Sequence, residues 1–95
     1  MRKILLVEDN ETIILGLKYS LEQEGFEVDV AKSVKETQKK LANTFDLYLL
    51  DISLPDGNGF EICKEIKSKQ DVPVIFLTAR DEETNVVLGL DIGAD

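Results

Sequence analysis

The apolar residues of this chain switch between two periods. Lys3 to Val7 and Leu47 to Leu50 are short, nearly continuous apolar runs, the pattern of strands buried on both faces of a parallel sheet. Pro73 opens a similar run, Val74-Ile75-Phe76-Leu77, which ends in Thr78. Phe26-Glu27-Val28-Asp29-Val30 instead alternates apolar with acidic residues, which predicts an edge strand whose acids discourage further pairing. Between these runs the spacing is helical. Asn10 is placed as an N-cap before Ile13, Ile14, Leu17 and Leu21, and Gly25 stands where a helix ends in a residue with positive φ. Ser33-Val34-Lys35-Glu36 has the form of a capping box and predicts a second helix running through Leu41 and Ala42, closed by Phe45. Leu54-Pro55-Asp56-Gly57-Asn58-Gly59 is a dense turn signal. After it, Asn58 and Glu61 pair as caps for a third helix with Ile62, Cys63 and Ile66 inward and Lys64, Lys67 and Lys69 in solvent. Asp81, Glu82 and Glu83 lead a fourth helix with Val86, Val87 and Leu90 on its face and Gly93 at its end.

The resulting βαβαβαβα series implies an α/β domain with helices on both faces of a parallel sheet. Right-handed crossovers give a doubly wound sheet of strand order 2-1-3-4, with the first helix alone on one face and the others opposite. A chain of 95 residues supports one core, so residues 1–95 are read as a single domain. The apolar runs are far shorter than the roughly 20 residues of a spanning helix, and the expectation is a soluble cytoplasmic domain with no membrane contact. With one Cys and no His, neither an internal disulfide, a zinc cluster nor a Cys/His nucleophile pair can form. The 19 acidic against 11 basic residues, a net charge of −8, argue against this segment holding a phosphate backbone and favour a cation as ligand.

Ligands of doubly wound sheets sit beyond the carboxyl ends of the strands, where strand order reverses. Here that point lies between the first and third strands, and the sequence loads it with Glu8 and Asp9 after strand one, Asp51 at the end of strand three and Thr78 at the end of strand four. Carboxylates crowded together either retain a proton at raised pKa or hold a hard cation, for which Mg²⁺ suits an oxygen-only set. Asp51 would then be a nucleophile toward phosphorus and Thr78 a hydroxyl for a phosphoryl oxygen. Other readings are weaker. Gly57-Asn58-Gly59 reads as a turn, since it follows no strand directly and Ile62 stands where a dinucleotide fingerprint needs a small residue. A calcium loop starting at Asp51 fails at Pro55 and Asp56. Cys63 reads as core.

Ile4-Leu5-Leu6-Val7-Glu8-Asp9-Asn10, Leu49-Leu50-Asp51 through Gly59-Phe60, Pro73 through Arg80, and Gly89-Leu90-Asp91-Ile92-Gly93-Ala94-Asp95 together resemble the receiver domain of two-component response regulators. The wording around Asp51 is most similar to winged-helix transcription regulators of the OmpR type. The resemblance implies a flavodoxin-like fold and a phosphoacceptor at Asp51. It also implies an acidic pair at Glu8 and Asp9, a Mg²⁺ site completed by Asp51 and the carbonyl of Ser53, and a switch hydroxyl at Thr78. It further implies a sensor histidine kinase as phosphodonor, an output acting on transcription, and a domain that catalyses only its own phosphorylation and slow hydrolysis rather than a separate enzymatic turnover. The chain stops at Asp95, where such domains begin a fifth strand and fifth helix carrying the family's lysine and aromatic switch residue. It is therefore expected to be a C-terminally truncated receiver. Lys3 lies at the wrong end of its strand to replace that lysine, and Arg80 is read as the only basic residue near the rim.

Two alternatives are kept: an interaction-only module without productive phosphotransfer, and a small phosphatase of the haloacid dehalogenase type. The second wants another Asp two residues after the nucleophile, where Ser53 stands. Without a fifth helix, the face that helix one covers alone is left with uncovered side chains, and strand four becomes an apolar edge. Homo-oligomerisation through strand four or an exchanged terminal helix is expected, so sedimentation should show concentration-dependent association. A monomer at high micromolar concentration would count against it.

Overall fold

The structure, a computed structural model, describes residues 2–77. Thr78, Arg80 and the expected fourth helix lie outside the described residues. The elements are β1 (Lys3–Val7), α1 (Glu11–Gln23), β2 (Glu27–Ala31), α2 (Val34–Lys40), β3 (Leu47–Asp51), β4 (Ser53–Leu54), β5 (Gly57–Asn58), α3 (Gly59–Lys69) and β6 (Val74–Leu77). The main sheet is parallel with order β2-β1-β3-β6, the order expected for the four long strands. The turn-rich stretch after Asp51 adds a two-residue antiparallel ladder, β4 against β5, which the sequence reading treated only as a turn.

The sheet buries its two faces unequally. On the α2/α3 side, Leu5, Val7, Tyr48, Leu50, Val74 and Phe76 pack with Ile62, Cys63 and Ile66 of α3 and with Leu41 and Phe45. On the α1 side the buried set among the described residues is Ile4, Leu6, Ile14 and Leu49, with Leu47, Ile75 and Leu77 half-buried around it. Cys63 is buried in the larger cluster, as expected. The alternation in β6 between buried Val74 and Phe76 and half-buried Ile75 and Leu77 follows directly, because successive strand residues face opposite sides.

Local chemistry explains the helix ends. Asn10 Oδ1 accepts from the amide of Ile13 at 3.1 Å, capping α1. At the other end Gly25 has φ 96°, and the Gly25 and Phe26 amides donate to the Glu22 and Leu21 carbonyls, a Schellman closure with Phe26 and Leu21 in one apolar cluster. Asn58 caps α3 through the Glu61 amide at 3.0 Å.

Several boundaries differ from the sequence reading. β2 runs one residue later, to Ala31, because its pairing with β1 ends at Val7↔Ala31. α2 stops at Lys40, with Leu41 as its C-cap and Ala42 already outside it. The capping box is closed on one side only. Ser33 Oγ accepts from the Glu36 amide, but the Glu36 carboxylate takes the amide of Lys32 rather than that of Ser33. Lys67 is half-buried rather than solvated, its ammonium donating to the Val72 carbonyl at 2.7 Å and so holding the approach to β6.

Among the described glycines, Gly59 is the most tightly enclosed. Its amide donates to the Ile52 carbonyl at 2.8 Å, and a Cβ here would lie 2.3 Å from the backbone oxygen of Asp51. Gly16, on the outer side of α1, has open space around it. Gly59→Ala should therefore lower stability by about 2 kcal/mol or more through overpacking against backbone. Gly16→Ala should raise it by roughly 0.5–1 kcal/mol through helix propensity. Thermal denaturation of the two variants checks the contrast.

Candidate metal and phosphoryl site

The register of β1 and β3 builds the site. Val7 pairs with Leu50, so Glu8 and Asp51 stand one rung further along adjacent parallel strands, roughly 4.8 Å apart in the hydrogen-bonding direction. Asp9 follows on the loop into α1. Glu8, Asp9 and Asp51 each bring a carboxylate oxygen to one place, all within 4.8 Å of one another. Glu8 and Asp51 are buried at 2% and 4% exposure, whereas Asp9 is open to solvent, so the group is reached from the Asp9 side.

Glu8 is held but not satisfied. Its Oε2 accepts from the Asn10 amide at 3.1 Å, while its Oε1 is buried with no hydrogen-bond partner. Burial, opposed in part by the Asn10 amide and reinforced by the charges of Asp51 and Asp9, pushes its carboxyl from 4.5 up to about 7. Burial also raises Asp51, with Asp9 adding repulsion and the Ser53 and Ile52 amides stabilising the anion. The two shifts describe one arrangement. A proton on Glu8 lets it donate to the Asp51 carboxylate, and without that proton the Glu8 oxygen faces another acceptor. A hard cation resolves the same conflict by replacing the shared proton, and an oxygen-only donor set of three carboxylates fits one.

The structure thus brings together three of the site residues expected from sequence, Glu8, Asp9 and Asp51. Ser53 lies two residues past Asp51 in β4 with its residue surface exposed, and Thr78 falls outside the described residues. Lys32 directly follows the carboxyl end of β2, whose Ala31 carbonyl accepts from the Glu8 amide, and its ammonium is ion-paired with Glu11 of α1. The sequence reading missed two residues around the site. Gly59 carries the backbone contact on Asp51, and Asp56 accepts from the amides of Val34 and Lys35 at 2.7 and 3.1 Å. The Pro55-Asp56-Gly57 turn signal marked the place, but the partners of Asp56 lie 22 and 21 residues earlier.

A small parallel α/β sheet with an acidic pocket at its carboxyl edge defines a class of domain suited to cations and phosphoryl groups. The chain belongs to the response regulator receiver domain family, whose model matches residues 4–95. Curated relatives include the response regulator ArlR of Staphylococcus saprophyticus, 44% identical over all of this chain and 44% of its own length. The transcriptional regulatory protein CpxR homolog of Haemophilus influenzae is 45% identical over all of this chain and 42% of its own length. These relatives are OmpR-family response regulators, and the chain spans less than half of their length. Among solved structures, the response regulator TrrA of Thermotoga maritima in complex with Mg(2+)-BeF matches at 41% identity and TM-score 0.79, over 85% of this chain and 72% of that one. The non-phosphorylated HemR receiver domain of Leptospira biflexa matches at 43% and 0.77, over 86% and 68%. The flavodoxin-like fold expected from sequence is the fold of these neighbours.

Because Glu8 and Asp51 bind protons more tightly folded than unfolded, both should make stability fall as pH rises above the ordinary carboxylate range in divalent-free buffer, with the Glu8 contribution lost by about pH 7. Glu8→Gln keeps the neutral form at every pH. It should raise stability at pH 8 by on the order of 2–3 kcal/mol and flatten most of that slope, as read by chemical denaturation across pH.

Proposed function

We propose that this chain is the phosphoryl-accepting module of a two-component signalling protein, with Asp51 as acceptor and a phosphohistidine of a sensor histidine kinase as donor. The observation that carries this reading is the convergence of Glu8, Asp9 and Asp51, with one buried Glu8 oxygen unpartnered. Glu8, Asp9 and Asp51 would hold Mg²⁺, with the Ser53 carbonyl as the further ligand that the family resemblance implies. Bound there, Mg²⁺ supplies positive charge that offsets the repulsion between these carboxylates and an incoming phosphoryl group. The neighbouring TrrA complex with Mg(2+)-BeF supports that choice of cation. An Asp51 carboxylate oxygen forms the new P–O bond as the P–N bond to the donor imidazole breaks, its electron pair staying on the imidazole nitrogen. The Ser53 and Ile52 amides favour the anionic form of Asp51 that this attack requires. Thr78 is assigned a phosphoryl oxygen on resemblance alone.

The donor surface is assigned to α1, which starts two residues past Asp9 and exposes Leu15 and Tyr19 one helical turn apart. The module acts on its own acceptor rather than on a separate substrate, works in the cytoplasm, and in the full-length protein controls transcription, in line with the names of its relatives. No described helix is long and apolar enough to cross a membrane. The net charge of −8 leaves nucleic-acid contact to other parts of the protein.

With Mg²⁺ and a small-molecule phosphodonor, intact mass should show a gain of one phosphoryl group that is absent in Asp51→Asn. No gain in the parent chain, with the fold intact, would favour the interaction-only alternative. With a phosphorylated kinase as donor, Tyr19→Ala should slow labelling while leaving labelling by the small donor unchanged.

A further inference from the structure

We infer that Asp56 is a positioning residue for the acidic site, holding the segment that follows Asp51 by clamping it to the first turn of α2. This rests on the proposed role of that site. The segment leaves Asp51 through Ile52 into β4, turns at Pro55-Asp56, and returns through β5 to α3. It is fastened at two points. At its base the Gly59 amide donates to the Ile52 carbonyl at 2.8 Å. At its tip the two carboxylate oxygens of Asp56 accept from the Val34 and Lys35 amides of α2 at 2.7 and 3.1 Å.

The opening amides of a helix have no partner within the helix. In α2, Ser33 Oγ takes the Glu36 amide, and Asp56 takes the two before it, so capping here is divided between a local residue and a distant one. The contact is close on its other side as well. A Cβ at Gly57 would meet Val34 Cγ2 at 2.9 Å, so the bare backbone of the hairpin lies directly against α2. Val34 in turn packs on the cluster that contains Leu50 and Leu54. Asp56 itself is exposed and outside the carboxylate group, so it acts on the site only through the backbone it holds. The Val34 amide, the stronger influence, and that of Lys35 keep its carboxyl below the usual carboxylate range, so the clamp carries full charge at neutral pH.

A residue that merely stabilises α2 and one that positions the site are separated by comparing Asp56→Ala with Ser33→Ala, which removes the other cap from the same turn. Two measurements are made on each chain: Mg²⁺ affinity by titration followed by NMR, and hydrogen exchange at the Ser53 and Gly59 amides. Asp56→Ala should weaken Mg²⁺ binding roughly tenfold, as loss of a supporting contact behind a metal site does. It should also speed exchange at both amides. Asp56→Asn, which keeps one acceptor oxygen, should recover part of each effect. Ser33→Ala should lower thermal stability while leaving both measurements near the parent values. Equal effects of the two alanine variants, or no change in Ser53 and Gly59 exchange in Asp56→Ala, would overturn the inference. Absence of Mg²⁺ binding by the parent chain would instead strike the cation reading of the site, and the exchange comparison would still decide the role of Asp56.

Discussion

Everything around the site answers to one electrostatic conflict, the placing of like charges at the ends of adjacent parallel strands. Parallel pairing puts Glu8 and Asp51 one rung beyond Val7↔Leu50, and strand spacing cannot be stretched to separate them. Water cannot screen them well either, because both are buried. Ionisation of both is costly, and the protein either keeps a proton between them or offers the place to a cation. The first option appears as the raised carboxyls of both residues, and the second is open because exposed Asp9 completes the donor set on the accessible side.

The conflict can persist only if the backbone carrying Asp51 cannot relax away from it. β3 is held on both edges, by β1 and by β6, and is buried along most of its length. Beyond its end, rigidity comes from three points: the absence of a side chain at Gly59, the Gly59 to Ile52 hydrogen bond, and Asp56 on α2. The larger apolar cluster lies on that same side of the sheet, where α3 packs on β3 and α2 packs on β2 and α3. The thinner α1 face, with Ile75 and Leu77 half-buried, contributes less to fixing this strand end.

Most of the fold was legible because its signals are local. The buried runs, the caps at Asn10 and Asn58, and Gly25 in the left-handed region each depend on residues a few positions apart, and handed crossovers convert the series into a sheet order. The carboxylate group was legible for a related reason, since strand ends share one edge once that order is known. What escaped depends on distance along the chain. Asp56 reads as a turn residue until α2 is placed beside it, and Gly59 reads as a turn glycine until its neighbour is known to be the Asp51 carbonyl. The Glu36 side chain shows a finer limit, because capping-box spacing specifies an acid and a first turn but not which of two consecutive amides the acid takes.

The acidic excess of the chain is informative only when its members are sorted by partner. Asp29, on the edge strand, is paired with Lys40, and Glu22 with Lys18. Glu11 pairs with Lys32, Asp46 accepts from the Lys3 amide, Glu36 from the Lys32 amide, and Asp56 from two amides of α2. Each of these is accounted for by capping, by pairing or by solvent. Among the described residues, the buried carboxylate oxygen without a partner is Oε1 of Glu8, and it sits within reach of two further acids. Native folds rarely leave such a group unmatched, because a buried polar atom without a partner costs about 1–3 kcal/mol, and more when charged. A sheet that satisfies its other acids and leaves this one open at the edge where strand order reverses has placed its electrostatic cost where a ligand can remove it.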